Sequence, residues 1–375
     1  MALSAGTRRT VACLLVGLGA LLIVAALLIP TYTVGKLAKT PLDLEITTIA
    51  TNAPGEDSLV LDSKSLSAPE GAAKIDSNVP LVSQRFVTVE EPSDADEMTV
   101  QAGQTLRRID KQGDTGLLTA TIDRVTIDRK TGEPVAKEPN GSIAVTVDKE
   151  MKSVAEPVQH TGLQYRFPIG TEKKDYPYFD LNARKTVDAK FVEESEINNM
   201  KVYHFQQSIP ATNLYDVVKA PTNKLTFPAA KWGVPGDGDV TMARWYTNTR
   251  DLWVEPKTGT VIKGGEQIHL YYGRDAKPEV TALKSHIVFD ENTIESQISV
   301  AKENIDKLSL YGRIMPIILG VVGVIALIVG VVLGIRGGGS GPAPAGGGGP
   351  LSQGRGARRA DTDPPTEQIK ITKQP

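Results

Sequence analysis

The chain has 375 residues, of which 40 % are apolar, 23 % charged and 5 % aromatic, enough for two or three domains. Its 42 basic and 44 acidic side chains leave a net charge of -2, which excludes a globally basic nucleic-acid binder. One cysteine and four histidines exclude a disulfide framework, a cysteine-based zinc site and a haem or iron–sulfur centre.

Residues 1–10 form a short N-terminus with Arg8 and Arg9 just ahead of an uncharged run from Val11 to Ile29, VACLLVGLGALLIVAALLI. At 1.5 Å per residue this run covers about 28 Å, close to the hydrocarbon thickness of a bilayer. A cleaved signal peptide has a shorter apolar region, of about 7–15 residues. Thr33 and Gly35 also make a poor cleavage site. A retained signal anchor over 11–29 is therefore expected.

From residue 30 to 289 the pattern is mostly period two. SQRFVTVEE (83–91), LLTATIDRVTIDR (117–129), SIAVTVD (142–148), KVYHFQQSI (201–209), RDLWVEP (250–256) and EQIHLYY (266–272) alternate apolar and polar residues. Turn signals fall between them at Lys130-Thr131-Gly132, Pro139-Asn140-Gly141, Pro235–Gly238 and Pro256–Gly259. The stretch 53–80 is polar and punctuated by proline, and reads as irregular surface. The expected fold is mainly β (α+β): a large antiparallel β domain flanked by an N-terminal and a C-terminal transmembrane helix.

Residues 290–313 predict one amphipathic helix, with Ile294, Ile298, Ala301, Ile305 and Leu308 on a single stripe. Asp290 or Asn292 offers its N-cap. It leads without a breaker other than Pro316 into a second uncharged run, Ile314 to Ile335, and is expected to continue that span outward as a stalk. Ala326, Gly330 and Gly334 repeat every four residues and form a small-residue ridge suited to close helix packing. Its expected partner is the first span, with Gly17, Gly19 and Ala20. The remainder, 336–375, begins with the linker GGGSGPAPAGGGGP and reads as a disordered, Gly/Pro-rich basic tail.

Charge assigns the sides. Residues 31–313 carry 34 basic and 41 acidic side chains, whereas the two ends carry 8 and 3. Arg8 and Arg9 before the first span, and Arg336, Arg355, Arg358 and Arg359 after the second, place both termini in the cytoplasm and the main domain outside. A plasma-membrane hairpin is the expected localisation.

No catalytic constellation emerges. His160, His204, His269 and His286 are far apart in sequence, and no nucleophile elbow, HExxH helix or phosphate-binding glycine loop occurs. GDGDV (236–240) holds two carboxylates at a turn, too few for a calcium loop. Catalytic, cofactor and metal residues are therefore none, and ligand-binding residues stay unassigned. Aromatic residues cluster in LQYRFPIGTEKKDYPYFD and between Trp232 and Trp253, where they serve either a core or an apolar ligand site.

The blocks LQYRFPIGTEKKDYPYFD, KVYHFQQSIP and LWVEPKTGTVIKG, set between a signal anchor and a final span with a basic tail, resemble the actinobacterial PorA-like family of envelope proteins. The resemblance covers roughly residues 8–336. It implies a link to polar growth and to moving trehalose mycolates or lipoglycans. It also implies a layout similar to class B scavenger receptors, which carry lipid through a tunnel in a doubly anchored β-rich domain. A membrane β-barrel is not implied, because two apolar helices replace the many lipid-facing strands a barrel needs. The expectation is a non-enzymatic protein that binds or helps move envelope lipids or glycolipids. The alternative is a non-catalytic scaffold for an exporter or a polar-growth complex.

Overall fold

In the computed structural model, which describes residues 5–33, 35, 38–147 and 153–337, the period-two segments become strands. They are β1 (Glu45–Asn52), β2 (Leu59–Asp62), β3 (Lys74–Asp76), β4 (Leu81–Glu90), β5 (Glu97–Arg108), β6 (Leu117–Asp128), β7 (Gly141–Val147), β8 (Ser153–Val158), β9 (Tyr176–Asp180), β10 (Lys185–Ile197), β11 (Met200–Asn213), β12 (Lys224–Pro228), β13 (Asp239–Glu255), β14 (Thr260–Gly273) and β15 (Val280–Phe289). One large antiparallel sheet holds them in the order β8-β7-β6-β5-β4-β1-β15-β14-β13-β11-β10-β9, with β12 on β13 and the β2–β3 pair on β15. Consecutive strands pair through short turns. At the centre β1 lies between β4 and β15 and joins the N-terminal half to the C-terminal half, and β11 pairs with β13 past β12.

The two outermost strands are consecutive in sequence, and the chain between them draws the sheet round on itself. Leu163 pairs with Tyr178 of β9, its N–H donating to Pro177 C=O at 2.7 Å. His160 exchanges bonds with Asn140 beside β7. Ile143 of β7 and Val158 of β8 pack on Phe179 of β9, and Arg184 Nη1 donates to Glu156 Oε2 at 2.6 Å. Among the described residues no strand ladder joins β8 to β9, so the sheet stays open while its concave face is enclosed.

The stretch 53–80 departs from the irregular surface expected of it. It supplies β2 and β3 and buries Ala53, Val60, Leu66 and Val79. Short apolar runs here are anchored by the sheet rather than by their own periodicity.

Helix α1 (Ala5–Leu28) and the chain from α2 (Glu291–Ser309) through the turn Leu310–Ile314 into α3 (Met315–Gly337) are the long helices. Both α1 and α3 are apolar and long enough to cross a membrane; the second runs unbroken over 46 residues, Glu291–Arg336. Their outward side chains are exposed, Leu14, Leu21, Ile317 and Ile335 among them, as lipid-facing residues are. Asp290 caps α2 by accepting from Thr293 N–H at 2.8 Å. Ile294, Ile298 and Ala301 bury the apolar stripe against Met200, Val202 and Ile262.

The spans pack on each other closely. A Cβ on Gly19 would stand 2.6 Å from Gly323 C=O, and one on Gly330 would meet Val16 Cγ2 at 2.9 Å and Ala12 C=O at 3.0 Å. Gly334 lies 3.7 Å from Ala12 Cβ by the same measure, and Ala326 is half-buried. On α1, Gly17 and Ala20 are exposed, with nothing within 4 Å of a Cβ on Gly17. Residues 338–375 of the tail, with Arg355, Arg358 and Arg359, lie outside the described residues.

Candidate functional site

Alternation and register together build a cavity of about 760 Å³ on the concave face of the sheet. Side chains two apart on one strand share a face, and antiparallel register lines them up with their neighbours. One inward row is Ile46–Val87–Ala102–Asp123–Ile143, across β1, β4, β5, β6 and β7. The next is Thr48–Arg85–Gln104, and on the other half Gln207–Arg250–Glu266–Ile287. Apolar side chains dominate the walls: Val87, Met98, Val100 and Ile127 on one flank, Leu252, Val261, Ile287 and Phe289 on the other.

Helix α2 forms a further wall. Lining residues run from Gln297 to Leu308 and on to Tyr311, a rise of about 21 Å at 1.5 Å per residue. The end with Tyr311, Lys307, Lys39, Asp43 and Ile29 lies where α1 and α3 meet the sheet domain. The cavity thus extends from the membrane-helix ends into the sheet.

Its inner end is polar, and Arg250 is held there by three acceptors. Arg250 donates from Nε to Glu266 at 2.8 Å, from Nη2 to Asp180 at 3.0 Å and from Nη1 to Gln207 at 2.5 Å. Tyr246 donates to the same Asp180 oxygen at 3.0 Å. Burial opposes the charge on Arg250, but Glu266 and Asp180 outweigh it and hold the guanidinium protonated above its ordinary range. Burial likewise pushes Glu266 up, and Arg250 with Arg85 pulls its carboxyl back below the usual value. A second buried cluster centres on Asp123, which accepts from His160 Nε2 at 2.8 Å, from Gln164 Nε2 at 3.0 Å and from the Tyr165 hydroxyl. Burial, with the Asp123 charge adding to it, raises the Tyr165 hydroxyl well above its ordinary value.

Nearer the mouth, Arg166 donates from Nε to Phe167 C=O at 3.3 Å, from Nη2 to Thr258 C=O at 2.8 Å and from Nη1 to Thr40 Oγ1. Burial alone pulls it down to about 10. The two turns around it carry left-handed glycines. A Cβ on Gly259 (φ +72°) would stand 2.1 Å from Phe167 C=O, and one on Gly132 (φ +75°) 3.1 Å from Arg166 Cγ.

Tertiary structure gives the scattered histidines partners that sequence spacing could not. His204 Nε2 donates to Asp251 at 2.7 Å while its ring stacks on Trp253, and His286 Nδ1 donates to Glu56 at 2.8 Å. His269 Nε2 lies 3.2 Å from Thr281 Oγ1. Asp237 and Asp239 of the GDGDV turn are exposed. Among the described residues no group of three metal-ligating side chains converges. The aromatic cluster divides: Phe167, Tyr176 and Phe205 pack in a core, Tyr165 and Phe179 line the cavity, and Tyr178 belongs to both.

The cavity residues escape a reading by hydrophobicity because two inward positions are polar while their neighbours outside are apolar. Arg85 and Asp123 point in; Phe86 and Ile122, on the opposite face either side of Gly103, are 44 % and 47 % exposed. The signal available in the sequence was the period itself, which continues through Ser83, Arg85 and Val87 whatever their polarity.

Comparison with known proteins places this geometry in a context. A family model described as Porin PorA matches residues 11–332. A Porin PorA of Corynebacterium amycolatum is 32 % identical over 381 residues, covering 86 % of this chain and 98 % of the relative. A Porin PorA of Corynebacterium resistens is 32 % identical over 402 residues, covering 88 % and 97 %.

Proposed function

This chain belongs to the porin PorA family, and on that premise we propose that it is a non-catalytic, membrane-anchored envelope protein. In this reading it takes the acyl part of an envelope lipid or glycolipid, of mycolate or lipoglycan type, into its cavity. The observation that carries the reading is the cavity's position. An apolar space of about 760 Å³ opens beside Ile29 and Tyr311, where both membrane helices end, so a lipid would enter without crossing water. The volume lies in the range of small-molecule sites, about 300–1,000 Å³. Each buried CH₂ contributes about 0.8 kcal/mol, so even a partly enclosed chain is held appreciably. The basic flanks Arg8, Arg9 and Arg336 support a reading in which the helix ends remote from the sheet lie in the cytoplasm and the cavity faces the outer leaflet.

A scaffold for an exporter or a growth complex would have been favoured by a sheet packed solid on its concave face. The name porin, carried by the relatives, implies a water-filled path, and the close approach of Gly19 to Gly323 does not support one between the two spans.

The test uses the full chain purified in detergent. Lipid should co-purify and be detected by mass spectrometry, and a fluorescent acyl probe should bind. Thr48→Trp, which fills the cavity from β1 at a half-buried position, should weaken probe binding about tenfold, the equivalent of roughly two lost CH₂ contacts. Absence of both co-purified lipid and probe binding counts decisively against the reading.

A further inference from the structure

Arg166 stands in the cavity wall with a charge that the described residues leave without a counter-ion. All its partners are neutral oxygens: Phe167 C=O, Thr258 C=O and Thr40 Oγ1. The other cations around the cavity are answered. Arg250 lies between Glu266 and Asp180, Lys39 is held by Asp96 and Lys307 by Glu303. Arg85 donates to Gln104, and its charge also acts on Glu266. Arg166 has no such carboxylate, and burial is the one influence on its protonation.

The position is built rather than incidental. Two turns close on the side chain, and each does so through a glycine in the left-handed region. Gly132 packs on the Arg166 stem, and Gly259 approaches Phe167, whose carbonyl takes Arg166 Nε. A guanidinium carries five N–H donors, and three are engaged here. Holding an unpaired charge in the wall of a largely apolar cavity is costly unless an anion joins it.

We propose that the lipid taken up by this cavity is an anionic amphiphile, and that Arg166 receives its phosphate or carboxylate near the mouth while the acyl part lies along the apolar walls. The inference rests on the lipid-binding reading and narrows it: a headgroup made only of neutral sugar would leave the guanidinium unanswered. A planar guanidinium fits either anion through two parallel N–H bonds, at roughly twice the strength of neutral ones.

The experiment is probe displacement from the full chain in detergent by lipids of identical acyl chains: dioleoyl phosphatidylglycerol, dioleoyl phosphatidic acid and uncharged dioleoylglycerol, with inorganic phosphate as a fourth competitor. The anionic lipids should displace the probe at about tenfold lower concentration than dioleoylglycerol. Arg166→Gln should remove that preference by weakening the anionic lipids alone, and Arg166→Lys should keep part of it. Equal displacement by charged and uncharged lipids overturns the proposal, as does an Arg166→Gln variant that weakens all three alike. Displacement by inorganic phosphate at the lipid's own concentration would make the site one for a free anion, which also overturns it. Where Arg166→Gln does not fold, the wild-type preference and its reduction in Arg166→Lys decide the matter. Failure of every lipid to displace the probe speaks against lipid binding itself, and is told apart from loss of head-group preference.

Discussion

Single side chains in this protein are positioned by which strand face they occupy, and their energetics follow from what the opposite row offers. Glu266 shows the consequence most directly. It sits on the inward row with Arg250, and removing one partner of a buried ion pair costs about 3–5 kcal/mol because the other charge is left behind. Asp180 remains on Arg250 when Glu266 is neutralised, so the lower end applies. Glu266→Gln should therefore lower unfolding stability at neutral pH by about 3 kcal/mol. The pH dependence has a definite sign. Burial alone would raise this carboxyl, but Arg250 and Arg85 hold it below the ordinary 4.5, so the folded form binds its proton less readily than the unfolded chain. Its stabilisation is complete above that value and is lost as pH falls through the depressed folded value. Denaturant titrations between neutral pH and pH 3 should show a shallower acid decline in Glu266→Gln than in wild type. An unchanged slope would show that the ion pair is not the group being titrated.

At the scale of elements, the packing of α1 on α3 is decided by where backbones touch. Small residues occur all along α1, but only those on the facing side matter. Gly19 admits the α3 backbone at Gly323, whereas Gly17, two residues earlier, faces outward with open space around it. Placing a large side chain at a tight contact costs about 1–3 kcal/mol through displaced backbone. Gly19→Leu should therefore lower the thermal unfolding midpoint in detergent clearly, and Gly17→Leu should leave it near wild type. Equal effects at both positions would rule out this packing face. The stalk follows the same logic: α2 holds to the sheet through Ile294, Ile298 and Ala301, and it runs on without a break into α3, so the cavity wall and the candidate span are continuous.

For the whole molecule, two candidate spans flanking one sheet domain would fix that domain to a single membrane face. Basic flanks resist translocation, so the arginines beside the spans support the proposal that this face is the outer one. A phosphatase that is active only outside the cytoplasm should work when inserted at the exposed Pro235–Gly238 turn and stay silent when fused after Pro375. Activity at the tail with silence at the turn would reverse the orientation. Activity at both would mean that the second span does not cross, and the cavity would lose its fixed approach to the lipid.

Several features of this protein were legible without coordinates because their signals are local. An unbroken apolar run of bilayer length has few other uses, so both long apolar helices, the candidate spans, could be placed. The stripe from Ile294 to Leu308 needed only the helical period, and most strands only period two. The stretch 53–80 misled because β2 and β3 are too short for a period to declare itself; β2 owes its place to β15, and β3 to β2. The site was the least legible part. Arg85, Asp123, Arg166 and Glu266 stand far apart in sequence and look like ordinary surface charges. Tertiary structure decided that the four meet around one space: Arg85, Asp123 and Glu266 through the curl of the sheet and the register of their neighbours, and Arg166 through the segment between β8 and β9 that packs across it. It also decided the space between them. A cavity is what side chains on many strands leave unfilled, and no single segment carries a record of it.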